Sequence, residues 1–334
     1  MKATNVQIPL MTLKQKKINH KNKKMRKQFL FRQPNIVSLY SGWGGGDLGF
    51  HQAKYLTKLA VDFDKHSREC FKLNFPGVDV QGWDLSRLSG KLLLQYLGMA
   101  ALGIDVLLMS PSCQGISAAG KCDPFDERNL LFLKSIRNIV PHAQPKTFII
   151  ENVDNLLYGD MRVFYDMVID ELNKLDDYEV DVRVLNSLHY HTPQCRNRVI
   201  IMGVHKSLGL MPSYPDADTA NISKLRIEEV LPEIDGLLYG YGFGKFKARD
   251  EFANTITKTR NLMALVNNEP VKLTTRQILK LAGYPDDWKT IGSDEKIWNR
   301  VGNSIMPPLA FALANHMDNT FFNPQMVQLN KLVA

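Results

Sequence analysis

Residues 35–46 read NIVSLYSGWGGG, an apolar β-branched run that passes directly into a turn holding Gly42, Gly44, Gly45 and Gly46. The run predicts a buried strand. The glycines predict a tight strand-to-helix turn, where a ligand can approach the backbone and the helix N-terminus. The same β-branched pattern recurs in LAVDF (59–63), DVLLM (105–109), TFIIE (147–151) and RVIIMG (198–203). Between these lie amphipathic stretches such as SGKLLLQYLGMAA (89–101) and NLLFLKSIRNIV (129–140). Strands alternating with helices imply an α/β fold, a doubly wound and mostly parallel sheet covered on both faces.

The rhythm breaks after Val204. MPSYPDADTANIS (211–223) is rich in turn formers, and GLLYGYGFGKFKAR (236–249) alternates glycine with aromatic and basic residues. Helical patterns resume at TTRQILKLAG (274–283) and PPLAFALANHM (307–317). The chain therefore divides into a basic N-terminal extension (1–33), a main α/β domain (34–205), a short second domain (206–270) and C-terminal helices (271–334) that return to the first.

Length and composition set outer bounds. At 334 residues with 44% hydrophobic content, the chain can bury a large core. No apolar run approaches a membrane span, and the N-terminus lacks a secretory pattern. Cys70, Cys113, Cys122 and Cys195 are scattered without a CxxC pair, which argues against a disulfide framework or a zinc site and for a reducing cytoplasm. Ten Lys or Arg and no acid precede Asp47, whereas the whole chain carries a net charge of +8, so the remainder is close to neutral. A basic block of this kind is either a solvated tail or a sequence-independent phosphate contact.

Several side chains at predicted strand ends carry chemistry. Asp62 lies twenty residues after Gly42, where a carboxylate can accept hydrogen bonds from both hydroxyls of a ribose. Phe63 beside it can stack on an adenine or be ordinary core. Asp84, in GWDLS, can accept from an adenine amino group or cap the helix before Ser86. Together these indicate an adenosine-containing cofactor. Cys113, in SPSCQGIS, follows one strand; Glu151, in ENV, ends another; Arg196 and Arg198, in QCRNR, open a third. Residues at the carboxyl ends of a doubly wound sheet share one crevice. A thiolate in an electropositive setting can attack an electron-poor ring carbon, and a carboxyl in a closed pocket can hold a proton on a ring nitrogen. Each alone has a plain structural alternative; the four in register do not.

The order YSGWGGG, VDFD, WDL, SPSCQGIS, ENV, QCRNR and RVGNSI resembles the cytosine-5 DNA methyltransferase family from Asn35 to about Met317. That resemblance implies the S-adenosyl-L-methionine-dependent, Rossmann-like methyltransferase fold with a small target-recognition domain. It implies methyl transfer to carbon 5 of cytosine in double-stranded DNA, after base flipping, with S-adenosyl-L-homocysteine as product. Cys113 would be the nucleophile at carbon 6, Glu151 would bind the ring nitrogen, Arg198 the base carbonyl, and Arg196 the phosphates or the catalytic loop. The cofactor would lie along Tyr40, Gly42, Trp43 and Gly44, its ribose on Asp62, its adenine between Phe63 and Leu85 and bonded by Asp84. Asn303, Ser304 and Ile305 would close its site. Gln114, Ser117, Lys245, Lys247 and Arg249 would meet the DNA. No metal is implied, and the setting is cytoplasmic, at the nucleoid.

Three departures from the family pattern stand out. Ser112 occupies the place of the proline usual before the nucleophile, Lys280 and Ala282 replace the usual arginine and glutamine, and the recognition region is short. A short reader fits a relaxed target or a second protein, such as a cognate restriction endonuclease or specificity partner. The competing readings are a tRNA cytosine-5 methyltransferase and a catalytically silent nucleic-acid-binding homologue. Removal of residues 1–33 is expected to weaken DNA binding uniformly across sequences and to flatten its salt dependence in titrations; unchanged affinity and slope would show that the tail makes no phosphate contact.

Overall fold

The computed structural model describes residues 33–111, 123–240, 244–258 and 262–324. From Pro34 onward the chain forms one compact unit. Its centre is a seven-stranded sheet built from β1 (Asn35–Leu39), β2 (Leu56–Val61), β3 (Val80–Gln81), β4 (Val106–Met109), β5 (Thr147–Val153), β6 (Tyr178–Asn186) and β8 (Asn197–His205), with the two-residue β7 (Gln194–Cys195) set apart. The order is β3-β2-β1-β4-β5-β8-β6. The first five strands are parallel, and β8 runs antiparallel between β5 and β6. The expectation of a doubly wound, mostly parallel sheet therefore holds. The antiparallel insertion and the strand β6 were not read from the sequence. Strand β6 mixes charged and apolar residues along a half-exposed edge, so it lacks the continuous apolar signal of its neighbours.

Among the described residues, the α-helices of seven residues or more are α1 (Gly45–Gln52), α2 (Lys65–Asn74), α3 (Gly90–Leu97), α4 (Glu127–Lys134), α5 (Met161–Leu172), α6 (Thr275–Leu281), α7 (Asp294–Asn303) and α8 (Pro307–Met317). Their starts follow from local chemistry. Asp64 accepts from the Ser67 N–H at the start of α2, Thr274 and Gln277 form a capping box on α6, and Ser293 caps α7 ahead of two acids. Strands β1, β4 and β5 are buried on both faces because apolar clusters lie on either side. One contains Ile36, Val106 and Leu309; the other contains Val37, Leu107 and Ile139. Helix α8 returns to this core, and the Tyr55 hydroxyl donates to the Ala314 carbonyl at 3.1 Å. The C-terminal helices thus pack on the main sheet.

A smaller antiparallel sheet, β10-β9-β12-β13, is formed by β9 (Gly236–Tyr239), β10 (Lys245–Ala248), β12 (Leu262–Val266) and β13 (Glu269–Lys272). Leu237, Leu262 and Ala264 join the same apolar cluster as Leu309, so its core is continuous with the main body. The pair β11 (Ala253–Asn254) and β7 ties this region back to the strand-end crevice. Among the described residues no helix is long and apolar enough to cross a membrane.

One carboxyl is buried at the heart of this frame. Asp47, in the first turn of α1, accepts from the Ser38 hydroxyl at 2.9 Å, while its Oδ1 has no partner among the described residues. Burial pushes its pKa up to about 7, and the Ser38 bond pulls only partly against that. The native state then holds this proton over a pH range where the unfolded chain, with a carboxyl value near ~4, has lost it. Stability from this group is full at low pH and is lost as pH rises through about 7. Relative to Asp47→Asn, the wild-type protein is expected to lose up to ~1.4 kcal/mol per pH unit within that window and nothing further above it. Urea unfolding of both proteins at several pH values checks this; a pH-independent difference would refute it.

Candidate active site

The sheet reverses direction between β1 and β4, and the crevice beyond their carboxyl ends gathers most of the residues singled out in the sequence. On one side, Gly42 and Gly44 take left-handed backbone at φ 57° and 97°, and a Cβ added at Gly42 would meet nothing within 4 Å. That space is open to a ligand. The Gly42 N–H donates to Asp62 Oδ2 at 2.7 Å, and the Asp64 N–H to Oδ1 at 2.8 Å. Burial pushes the Asp62 carboxyl up, against those two backbone bonds. Each oxygen keeps a lone pair for a further hydroxyl. Phe63, at the rim, is 81% exposed, an unusual state for a phenylalanine and one suited to stacking. Asp84 meets its capping alternative: Oδ1 accepts from the Ser86 N–H at 3.0 Å, and Arg87 lies 3.5 Å from Oδ2. The Ser86 bond holds its carboxyl below the usual range. Leu85 is buried behind it. The Tyr40 hydroxyl meets Ser135 Oγ at 2.8 Å.

The Trp43 side chain belongs to the core. Its indole is turned inward and 1% exposed, edge-on to Tyr284 and Trp288, so only its backbone is left for a ligand. The indole N–H donates to Tyr284 Oη at 2.7 Å, Tyr284 Oη and Ser304 Oγ are 2.7 Å apart, and Ser304 Oγ donates to the Ile305 carbonyl at 3.1 Å. A Cβ on Gly45 would fall 2.0 Å from Ser304 Oγ and 2.4 Å from Tyr284 Oη, which is why only glycine fits there. The glycine turn is thereby fastened to residues 304 and 305. Asn303 is exposed instead, with its amide on Asn299 Oδ1 at 2.9 Å.

On the other side, β5 and β8 set the chemistry. Val153 pairs with Arg198 in register, so Glu151, two residues back, shares the face of Arg198. Arg198 Nε meets Glu151 Oε1 at 2.9 Å with both side chains over nine-tenths buried. Burial pushes Glu151 up, while Arg198 and then Arg196 draw it down. A buried carboxyl whose proton affinity is raised can deliver a proton to a ring nitrogen. The Asn152 amide donates to the Pro111 carbonyl at 3.2 Å, fixing the chain where β4 ends. Cys113, Gln114 and Ser117 lie outside the described residues.

Of the two roles expected for Arg196, burial leaves no surface for a phosphate, and the loop after Cys113 lies outside the described residues. Arg196 is 1% exposed, and its guanidinium donates to the carbonyls of Ile256, Gly302 and Ser304 at 2.9, 2.7 and 3.1 Å. Gln194 makes a parallel tie, donating to the Leu281 carbonyl at 2.8 Å and accepting from the Ile256 N–H at 3.1 Å. These two residues clamp the segment after β11 and the end of α7 around the crevice. A cleft of about 290 Å³ opens beside them, lined by Val153, Asn186, Arg198, Thr255, Lys258 and Asn303. Of the three expected DNA-contacting bases, Lys245 is exposed, Lys247 pairs with Glu251 at 2.8 Å and Arg249 lies 3.5 Å from Glu228. Surface pairs of this kind are worth little and exchange readily for phosphate. Among the described residues no cluster of metal-ligating groups occurs.

Asn152, Gln194 and Tyr284 were not singled out as site residues from the sequence. Tyr284 carries no local signal, because its partners are 20 and 241 residues away. Removing the phenol oxygen leaves the Trp43 N–H without its buried acceptor. Tyr284→Phe is expected to cost about 1–3 kcal/mol in denaturant unfolding, and Trp43→Phe combined with it less than the two separate losses added. Additive losses would show that the hydroxyl chain is not a unit.

A family model described as C-5 cytosine-specific DNA methylase matches residues 34–238 and 238–319. The Type II methyltransferase M1.ScrFI of Lactococcus lactis subsp. cremoris is 27% identical over 84% of this chain and 77% of its own length. The Type II methyltransferase M1.HphI of Haemophilus parahaemolyticus is likewise 27% identical, over 83% and 85%. The crystal structure of the S. pombe Dnmt2 methyltransferase shares the fold, with a TM-score of 0.63 at 17% identity over 87% of this chain and all of that one. With the crevice, the buried Glu151–Arg198 pair and a family match spanning nearly all of the described chain, this protein belongs to the C-5 cytosine-specific DNA methylases.

Proposed function

We propose that this DNA cytosine-5 methyltransferase uses S-adenosyl-L-methionine to methylate a cytosine flipped out of double-stranded DNA, with Cys113 as covalent nucleophile. The observation that carries the reading is the buried Glu151–Arg198 pair, 2.9 Å apart between β5 and β8, with Asn152 of β5 bonded to the carbonyl of Pro111, two residues before Cys113. The cofactor side fits an adenosine group: open space before Gly42, a carboxylate at Asp62 with free lone pairs, and an exposed ring at Phe63. Asp62 would hold the ribose hydroxyls and Phe63 one face of the adenine, with Asp84 at the amino group. When bound, the cofactor supplies an electrophilic methyl group.

The chain's own residues do the rest. The flipped base enters the cleft beside Arg198 and Asn303. Glu151 holds a proton at ring nitrogen 3, oriented by Arg198, which also reaches the base carbonyl. As the Cys113 thiolate bonds to carbon 6, electron density moves onto the protonated ring and carbon 5 becomes nucleophilic. After carbon 5 takes the methyl group, with S-adenosyl-L-homocysteine as leaving group, a base would remove the carbon-5 proton, that C–H electron pair re-forms the carbon 5–carbon 6 double bond as the carbon–sulfur bond breaks to free the thiolate, and the proton on nitrogen 3 returns to Glu151. Arg196 and Gln194 hold the walls of the crevice in place. The small sheet carrying Lys245, Lys247 and Arg249 reads the target, and the basic segment 1–33 adds affinity without sequence choice. By its likeness to Type II methyltransferases, the protein would protect cytoplasmic DNA from a cognate restriction endonuclease.

With labelled S-adenosyl-L-methionine, the wild type is expected to place label on carbon 5 of DNA cytosine and not on tRNA. Cys113→Ala should abolish the label, and Glu151→Gln should lower kcat by about 10²-fold or more. Label in tRNA alone would overturn the substrate; full activity of Cys113→Ala would overturn the mechanism.

A further inference from the structure

We infer that Arg68 is a positioning residue for the adenosine end of the cofactor site, holding the Asp62–Phe63 turn against the Gly82–Asp84 turn. The inference rests on the reading of Asp62 and Phe63 as ribose and adenine contacts. Three observations carry it. Arg68 stands in the first turns of α2, and its Nη1 donates to the carbonyls of both Asp62 and Phe63, at 2.8 and 2.7 Å. Its guanidinium lies flush on the backbone of Gly82, where an added Cβ would come within 2.6–2.8 Å of the guanidinium carbon and nitrogens. And Phe63 has almost no packing of its own, being 81% exposed, so little besides its backbone fixes the direction of its ring.

The physical need is clear. A stacking ring on a turn loses its advantage if the turn samples several conformations, since binding must then freeze it. One guanidinium that bonds two successive carbonyls removes that freedom before the ligand arrives. Because it also rests on Gly82, it sets the spacing between the turn that carries Asp62 and the turn that carries Asp84, two strands that pair through only two residues at β3. Its charge also favours the ionised form of Asp62, which burial opposes. Gly82 is needed here for contact rather than conformation: alanine at that position would displace the far end of a flexible side chain and leave the fold intact.

Two variants test the contact from both sides. Arg68→Met keeps the aliphatic stem and removes the donors; Gly82→Ala pushes the guanidinium off its seat. Each full-length variant is expected to weaken S-adenosyl-L-methionine and S-adenosyl-L-homocysteine by the same factor, about tenfold, in calorimetry. The KM for cofactor should rise accordingly, with kcat at saturating cofactor within about twofold and the KM for DNA unchanged. The double variant should be no weaker than either single one, and Arg68→Lys should fall between Arg68→Met and wild type. Wild-type affinity in Arg68→Met, alongside loss of binding in Asp62→Asn, would overturn the inference and leave the cofactor reading standing. A loss that tracks a fall in ligand-free Tm, or a larger effect on one cofactor form than on the other, would also overturn it. Undiminished binding in both Asp62→Asn and Phe63→Ala would remove the cofactor reading itself.

Discussion

The site depends on a closure. A row of buried hydrogen bonds runs from Trp43 through Tyr284 and Ser304 to the Ile305 carbonyl, and it joins the first glycine turn to residues more than 240 positions away. Each member is a polar group that would be costly to leave unpaired in an apolar interior. The arrangement therefore has little slack. The same end of α7 is gripped from the opposite side by Arg196, whose guanidinium takes the Gly302 and Ser304 carbonyls together with that of Ile256. Between the two grips, residues 302–305 form a wall common to the glycine turn and to the cleft beside Arg198. The glycine-turn side and the Glu151–Arg198 side of the crevice are thus built against one piece of backbone.

Charge inside the molecule is treated in two ways. Glu151 is buried with a cation at hydrogen-bond distance, so burial raises its proton affinity while Arg198 pulls the other way. Asp47 is buried with a serine hydroxyl and no cation beside it, and burial raises its pKa to about 7. The first arrangement suits a group that must exchange a proton with a substrate. The second belongs to the frame, where β1 meets α1, and contributes nothing by being ionised.

Much of this was legible beforehand. Strands β1, β4 and β5 announce themselves because they are buried on both faces, which forces a nearly continuous apolar run, and β2 does so through its buried half, Leu59–Val61. The residues just past strand runs must lie at the carboxyl edge of the sheet, so Asp62, Asp84 and Glu151 could be assigned there; Arg198 precedes its run and meets that edge only because β8 runs antiparallel to β5. Edge strand β6 was not legible, since half-exposed strands carry mixed composition. Nor was the reversed direction of β8: a strand's apolar pattern is the same read either way.

What the sequence by itself determined is which residues stand at strand ends and in what order, because that follows from local hydrophobic pattern and from glycine at turns. What only the tertiary structure decided is which way those side chains face. Trp43 sits in the glycine turn yet turns its indole into the core; Arg196 and Arg198 are two residues apart, yet one clamps backbone carbonyls and the other meets Glu151. Tyr284, Ile256 and Gly302, the partners that decide these orientations, arrive from distant segments. Local pattern places a residue on the chain, but a buried polar group points to wherever its hydrogen bond can be made, and that is known only once the chain has closed.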